Sequence, residues 1–264
     1  MKAVCLMLVS LFCVAGALAE DKAPYWLEPM SKLHAEFTGD AGYVAQLGDS
    51  ITVTMAFWSV LAWCDPTPFI KDDGLPKSPE GRMWKNVIKG AREGKDAGGC
   101  GSGWTSGMLL GVTGKVISER KPEVAIIMIG TNDGKNNNVP PDYRNNLETI
   151  VQKCLDAKCI PILNTIPPIR GNVQASETIN TIIKDVAEKS KIPLVDYYGE
   201  IMKRQPGNAW DGTLMSDDGL HPSAGDTATF SDDNLAVSGY ALRTWLNFLA
   251  YREIYFKIIA PVTR

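Results

Sequence analysis

Ser50 lies in a setting that suits a nucleophile. It belongs to the sequence QLGDSIT (residues 46–52), which follows the short apolar run at residues 43–45. Apolar residues then recur at roughly helical spacing, at Met55, Phe57, Trp58 and Leu61. This pattern predicts a strand, a tight turn and a helix, with Ser50 as the N-cap beside unpaired backbone N–H groups. A serine at such a position is either a nucleophile or only a helix cap.

His221 is one of two histidines in the chain and lies in the sequence DGLHP (residues 218–222). A serine nucleophile needs a base that takes its proton and a third group that holds the base in the right tautomer. Asp218 stands three residues before His221, so one turn can supply both groups. We therefore expect Ser50, His221 and Asp218 to act together in acyl transfer.

Acyl transfer also needs hydrogen-bond donors where the carbonyl oxygen becomes negative. The sequence GTND (residues 130–133) follows an unbroken apolar run at residues 124–129. That run predicts a buried parallel strand, which places Asn132 at its carboxyl end. The Asn132 amide, the Ser50 N–H and a backbone N–H from a glycine loop can serve as the donors.

The three short sequences resemble the conserved blocks of the GDSL, or SGNH, hydrolases, and they occur in that family's order. The resemblance extends from about Tyr43 to the last helix. It implies a Ser-His-Asp triad and an acyl-enzyme that water hydrolyses, so no cofactor is expected. Family members act on acetylated sugars, lipids, thioesters and simple esters.

The family's second block is less clear in this sequence. Family-like spacing to the Lys-Pro pair at 121–122 implies that the oxyanion glycine is Gly103, with Gly107 as the alternative. The asparagine that often precedes this glycine is missing, because Gly98 and Gly99 stand in its region.

Mainly polar and aromatic side chains should surround the nucleophile, and we expect four residues to bind substrate: Thr52, Trp104, Asp133 and Leu220. Such a lining suits a shallow cleft for a sugar ester with a short acyl group, and acetyl is the expected one. The sequence therefore predicts a secreted serine esterase acting on carbohydrate esters. Two alternatives stay open, namely a lipid or short-chain esterase of the same fold and a non-catalytic glycan-binding protein on this scaffold.

Strand and helix patterns alternate along the chain. Apolar residues recur with helical period in segments that precede or follow the short apolar runs at 124–129, 160–163 and 192–195. This alternation is typical of βαβ units around a parallel sheet. We predict a three-layer α/β/α sandwich with a flavodoxin-like parallel sheet of five strands. The second strand has only weak support, at residues 95–100.

The composition limits the possible functions. The chain has 264 residues, of which 45% are hydrophobic, with a formal net charge of −3. This length suits one domain, predicted at residues 20–264. The slight negative charge argues against nucleic-acid binding, and a small-molecule or polysaccharide ester is the expected partner. No feature indicates an oligomeric state.

Residues 1–19 have the pattern of a secretory signal peptide, with Lys2 before an apolar run and a small-residue cleavage site ending at Ala19. The protein is therefore expected to be secreted or periplasmic. A retained membrane anchor is the alternative, but the run is short for a span. No later segment predicts stable membrane insertion, because charged residues such as Arg243 and Arg252 interrupt the apolar C-terminal stretch.

Four cysteines remain after the predicted leader, at Cys64, Cys100, Cys154 and Cys159. Their spacing favours a local Cys154–Cys159 disulfide, which leaves Cys64 for Cys100, and four free thiols are the alternative. No metal is expected, since two histidines without a Cys-x-x-Cys pair do not suit zinc. The insertion after His221, at residues 223–238, carries Asp226, Asp232 and Asp233. Cation binding by these three carboxylates is the alternative to a solvated acidic loop, which is the expectation.

Overall fold

The computed structural model describes residues 23–76, 85–87, 89–90 and 98–262. The predicted signal peptide lies outside these residues. Four parallel strands follow one another across the sheet in chain order: β1 (Asp40–Gly48), β2 (Pro122–Met128), β3 (Ile160–Asn164) and β4 (Leu194–Val195). Every residue of β2 is buried, as expected for a parallel strand covered on both faces.

The helices cover the two faces of this sheet. Besides helical residues at 85–87 and 89–90, the described residues form α1 (Leu27–His34), α2 (Ser106–Arg120), α3 (Thr131–Gly134), α4 (Tyr143–Asp156), α5 (Val173–Lys189), α6 (Tyr197–Arg204), α7 (Gly239–Ile254) and α8 (Ala260–Val262). Helix α4 packs between α2 and α5, while α1 contacts the π-helical turn Tyr255–Ile259 that continues α7. The predicted three-layer α/β/α fold with a parallel sheet is confirmed.

The sheet has four strands among the described residues, so the prediction of five is wrong in number. On the open edge of β1, Cys100 forms a single parallel bridge with Gly48. The Gly48 N–H donates to the Gly99 carbonyl at 3.0 Å, and the Gly101 N–H donates to the Gly48 carbonyl at 3.3 Å. In a flavodoxin-like sheet, a second strand would lie at this edge of β1. The glycine-rich segment at residues 98–101 occupies that place, but it forms only the one bridge with β1. Residues 95–97 of the weak candidate lie outside the described residues.

The helix predicted after Ser50 is absent. The segment from Ser50 to Trp58 forms turns and bends, and a short 3₁₀ turn follows at Ser59–Ala62. Ile51, Phe57, Trp58 and Leu61 are fully buried. These apolar residues are therefore spaced so that they become buried, although the backbone is not helical. Ser50 is consequently not a helix N-cap.

The expected disulfides are also absent, since the cysteines at positions 64, 100, 154 and 159 are not linked by disulfide bonds. Cys154 and Cys159 are fully buried neighbours, and burial raises the pKa of the Cys159 thiol well above its usual value. Sequence spacing does not fix the Cα separation and side-chain directions that a disulfide requires. The alternative of four free thiols agrees with the structure.

Within the described residues, the structure has no helix that combines the length and the apolar character needed to cross a membrane.

Candidate active site

A tight hairpin carries the candidate base. Met215 and Pro222 form an antiparallel bridge, and the Ser216 N–H donates to the His221 carbonyl at 2.8 Å. Between them Gly219 takes a positive φ of 68°, a conformation that glycine adopts easily. The hairpin therefore presents two side chains, Asp218 and His221, on one side of a closed loop.

These two side chains meet the candidate nucleophile from the end of β1. Ser50 Oγ lies 2.9 Å from His221 Nε2, and His221 Nδ1 lies 2.6 Å from an Asp218 carboxylate oxygen. In the tautomer that this chain requires, the Nδ1–H donates to Asp218 and Nε2 accepts from the Ser50 hydroxyl. The structure thus brings together the three residues that the sequence predicted, in the geometry of a nucleophile, a base and an orienting acid.

Hydrogen bonds stabilise the negative charge of the Asp218 carboxylate. One of its oxygens accepts hydrogen bonds from the Leu220 N–H, the His221 N–H and the Ser216 hydroxyl, at 2.8, 2.9 and 2.8 Å. Partial burial acts to raise its pKa, but these bonds and that from the His221 ring hold the pKa of Asp218 well below its usual value. The carboxylate therefore stays ionised and can stabilise an imidazolium at His221.

Arg170 fixes the hairpin from outside. Its Nε donates to both carboxylate oxygens of Asp211, at 2.9 and 2.7 Å, and its Nη1 donates to the Asp217 carbonyl at 2.6 Å. Its backbone N–H donates to the Gly219 carbonyl at 2.8 Å. A Cβ at position 219 would collide with the Arg170 side chain, so only glycine fits at this position.

Asp49, next to the candidate nucleophile, is fully buried. Its Oδ1 accepts the Ile51 N–H at 3.0 Å. Burial raises the pKa of Asp49 to about 6, although the Ile51 hydrogen bond and the neighbouring Arg243 act to lower it. An acid with a raised pKa is held protonated by the fold over a pH range where it is ionised in the unfolded chain.

This raised pKa predicts how stability depends on pH. Between about pH 4 and about pH 6 the folded state binds a proton at Asp49 that the unfolded state has lost, so this group's contribution to the free energy of unfolding falls as pH rises. Asp49→Asn keeps the acceptor for Ile51 and removes the titration. We expect urea denaturation to show that the stability of Asp49→Asn relative to wild type rises by about 2–3 kcal/mol across this window. A stability difference that does not change with pH would contradict the assignment.

The candidate oxyanion donors lie on two adjacent loops. Asn132, in α3, donates a hydrogen bond from Nδ2 to the Trp104 carbonyl at 3.0 Å, which fixes its amide beside the 101–105 loop. Gly103 in that loop has a positive φ of 75°. Among the residues that the structure describes, the Ser50 and Gly103 N–H groups have no acceptor. They are therefore free to donate to a ligand oxygen.

Two of the four predicted substrate contacts face the interior instead. Thr52 is fully buried, and its hydroxyl accepts a hydrogen bond from Arg243 at 3.1 Å. Asp133 is buried and accepts hydrogen bonds from the Ser106 N–H and hydroxyl, at 2.9 and 2.7 Å, where α2 begins. Both polar groups are already bonded within the protein, so the expectation that they contact substrate is wrong for this structure.

The other two predicted substrate contacts, Trp104 and Leu220, are partly exposed to solvent. Trp104 is partly exposed, and its ring packs on Gly101, where a Cβ would collide with it. Leu220 is half-buried between Asp218 and His221. Both lie on the loops that carry the candidate catalytic groups.

The insertion after His221 is a packed loop. Its ends are joined by hydrogen bonds from the Ser223 hydroxyl to the Val237 carbonyl, and from the Ser238 hydroxyl to the Ala224 carbonyl, at 2.9 and 2.7 Å. Phe230 packs between Phe69 and Trp245. The described part of the chain contains no group of His, Cys, Asp or Glu side chains arranged to bind a metal ion.

Sequence reasoning missed two arginines near the site. Arg170 supports the His221 hairpin, and Arg243 contacts the segment after Ser50. In the sequence Arg243 looked only like a charge that interrupts an apolar stretch. The available signal was a charged residue on an otherwise apolar helix, because such a residue is retained inside a protein when it has fixed partners.

Known proteins are similar to this chain in sequence and in fold. The model of the GDSL-like lipase/acylhydrolase family matches residues 47–225. An arylesterase from Vibrio mimicus is 26% identical over 151 residues, which cover 54% of this chain and 72% of that protein.

Two solved structures share the fold. The lipase/acylhydrolase from Enterococcus faecalis has a TM-score of 0.53 at 21% identity, over 82% of this chain and 96% of that one. The acetyl xylan esterase AlAXEase has a TM-score of 0.51 at 15% identity, over 78% of this chain and 97% of that one. Because the family model spans more than half of the chain and includes both Ser50 and His221, the chain belongs to the GDSL-like lipase/acylhydrolase family and is an ester hydrolase of that type.

Proposed function

We propose that this protein is an exported serine esterase that hydrolyses short-chain esters, most readily acetyl esters of carbohydrates. The observation that carries the proposal is the hydrogen-bonded chain from Ser50 through His221 to Asp218, with distances of 2.9 and 2.6 Å. The apolar N-terminal segment with its cleavage pattern supports export.

In the proposed reaction, Ser50 Oγ attacks the ester carbonyl carbon while His221 Nε2 takes its proton. The charge that develops on the carbonyl oxygen is stabilised by the Ser50 N–H, the Gly103 N–H and the Asn132 amide. His221 then returns the proton to the leaving alcohol as the carbon–oxygen bond breaks, which leaves an acyl-enzyme. His221 next takes a proton from a water molecule, which attacks the acyl carbon. The bond from that carbon to Ser50 Oγ then breaks, His221 returns the proton to Oγ, and the acid is released. Asp218 holds the imidazole throughout.

The surroundings of Ser50 support a small acyl group. The candidate site is bordered by a glycine loop, Trp104 and Leu220, which suit a shallow cleft. That AlAXEase, an acetyl xylan esterase, has the same fold is consistent with an acetylated glycan as substrate.

A lipid-directed esterase is the second candidate. Met55 and Trp63, on the segment that follows Ser50, are 55% and 60% exposed, and Val237, beside the His221 hairpin, is 54% exposed. Exposed large apolar side chains near a site favour lipid or membrane-surface substrates when they form one patch. A chain-length series separates the two candidates.

We expect the rate to fall as the acyl chain of p-nitrophenyl esters lengthens from acetyl through butyryl to octanoyl. A pocket built for lipid would gain about 1 kcal/mol for each added methylene, so its order would be the reverse. Acetylated xylan or a similar glycan should release free acetate. Faster turnover of octanoyl esters without acetate release would support the lipid candidate, and no turnover of any ester would support a glycan-binding protein.

A further inference from the structure

We propose that Arg243 is a positioning residue for the nucleophile: from α7 it holds the segment after Ser50 in the conformation that keeps Ser50 in reach of His221. The inference rests on the proposed function, in which Ser50 attacks the ester. Arg243 contacts neither Ser50 nor the expected position of the substrate, so it acts through the residues that follow Ser50.

The contacts of Arg243 fall on three residues of that segment. Its Nη1 donates to the Ile51 carbonyl at 2.7 Å, and its Nη2 donates to the Thr52 hydroxyl at 3.1 Å. Its Cζ lies 3.6 Å from the centroid of the Phe57 ring. Only a planar guanidinium can bond two acceptors in fixed directions while its face lies on an aromatic ring.

These contacts replace those of the missing helix. In a helix the Ile51 carbonyl would accept an N–H from the next turn, but here the described backbone offers it none, and Arg243 supplies the donor. Thr244, the next residue of α7, accepts the Trp58 N–H at 3.2 Å. Trp58 has a positive φ of 51°, which is unfavourable for a bulky residue unless its surroundings hold it. Helix α7 therefore fixes an irregular segment at both ends.

The buried positive charge of Arg243 restricts the conformations that the segment after Ser50 can adopt. Ile51 is held on both sides, because its N–H donates to Asp49 at 3.0 Å while its carbonyl accepts from Arg243. Arg243 is fully buried, and a buried cation is tolerated only with good hydrogen bonds and a nearby anion. Burial lowers the pKa of Arg243 to about 10, although Asp49 acts to raise it. The guanidinium therefore stays charged at neutral pH. Displacing the segment that carries Ser50 would break the hydrogen bonds that this charged group donates to Ile51 and Thr52.

The same helix provides a matched control. Arg252, nine residues later, is also buried, and it donates hydrogen bonds to Asp73 and to the carbonyls of Leu75 and Pro76. It has no hydrogen bond to the segment from Ser50 to Trp58 among the described contacts. Replacing either arginine should cost stability, but replacing Arg252 should leave the position of Ser50 unchanged.

The test compares Arg243→Lys, Thr52→Val and Arg252→Lys in the full chain. Thr52→Val keeps the shape of the side chain and removes only the acceptor of Nη2. The measurements are thermal unfolding, kcat and KM for p-nitrophenyl acetate, and the rate at which a p-nitrophenyl phosphonate labels Ser50.

For folded Arg243→Lys we expect kcat and the labelling rate to fall together by about tenfold or more with little change in KM, because small displacements of a reacting group are costly. Thr52→Val should lower both rates by a smaller factor. A double variant with both Arg243→Lys and Thr52→Val should lose less than the product of the two single effects, because both substitutions alter the same hydrogen bond. Arg252→Lys should keep wild-type rates even if its unfolding temperature falls as far.

An unchanged kcat in folded Arg243→Lys would overturn the inference, and so would an equal loss in Arg252→Lys, which would assign the effect to stability alone. If Arg243→Lys does not fold, an unchanged kcat in Thr52→Val overturns it. Failure of the phosphonate to label Ser50 in the wild type is a different result, because it would overturn the proposed function itself.

Discussion

Replacing Ser50 by alanine is expected to remove nearly all ester hydrolysis, a loss of about 10⁴-fold or more in kcat. The Ser50 hydroxyl is the group that His221 Nε2 meets at 2.9 Å, and alanine leaves the base with no proton to take. The variant should fold normally, because Ser50 Oγ has no other hydrogen bond in the described structure. A p-nitrophenyl phosphonate should label the wild type once per chain, on the peptide that contains Ser50.

His221→Ala should cost about as much as Ser50→Ala, and the double variant little more, because members of a triad act as a unit. Ser118→Ala is the matched control, since Ser118 is an exposed serine near the end of α2. It should keep wild-type activity and labelling. Labelling on another serine, or losses in Ser50→Ala and His221→Ala that multiply in the double variant, would contradict the triad.

Asn132→Ala has the second largest expected effect, a loss of about 10²–10³-fold in kcat with little change in KM. The amide is already fixed by its hydrogen bond to the Trp104 carbonyl. It therefore needs no reorganisation when charge develops on the substrate oxygen, and its second N–H bond is available to that oxygen. A donor that acts only in the transition state changes kcat rather than binding.

Asn145→Ala is the control for Asn132, because Asn145 is an exposed asparagine of α4. Its kinetic constants should equal those of the wild type. A rise in KM at constant kcat in Asn132→Ala would show that Asn132 binds the ester in its ground state. That result would remove Asn132 from the oxyanion donors and leave the triad unaffected.

Much of the fold was predictable because its signals are local. The apolar run that becomes β2 lies between turn residues, and parallel strands bring their carboxyl ends to one edge. Ser50 and Asn132 follow β1 and β2 directly, so their proximity follows from the strand order. Asp218 and His221 are three residues apart in one turn, so their hydrogen bond needs no distant partner.

The errors concern residues whose partners are far away in the sequence. Thr52 and Asp133 were expected to bind substrate because they are polar and adjoin the motifs. In the structure their partners are Arg243, 191 residues away, and Ser106, 27 residues away. Local sequence shows that a polar side chain is present, but it does not show which buried group satisfies it. The disulfide prediction failed for the same reason, since cysteine spacing says little about separation in space.

The sequence by itself determined the α/β class, the order of the family's sequence blocks and the pairing of His221 with Asp218, because strand periodicity and short turns depend on neighbouring residues. Only the tertiary structure decided the conformation after Ser50. There, apolar residues with nearly helical spacing are buried in an irregular segment whose backbone is bonded by Arg243 and Thr244 of α7, 192 and 186 residues away from Ile51 and Trp58. A buried carbonyl must find a donor, and which donor reaches it depends on how the last helix packs against the sheet.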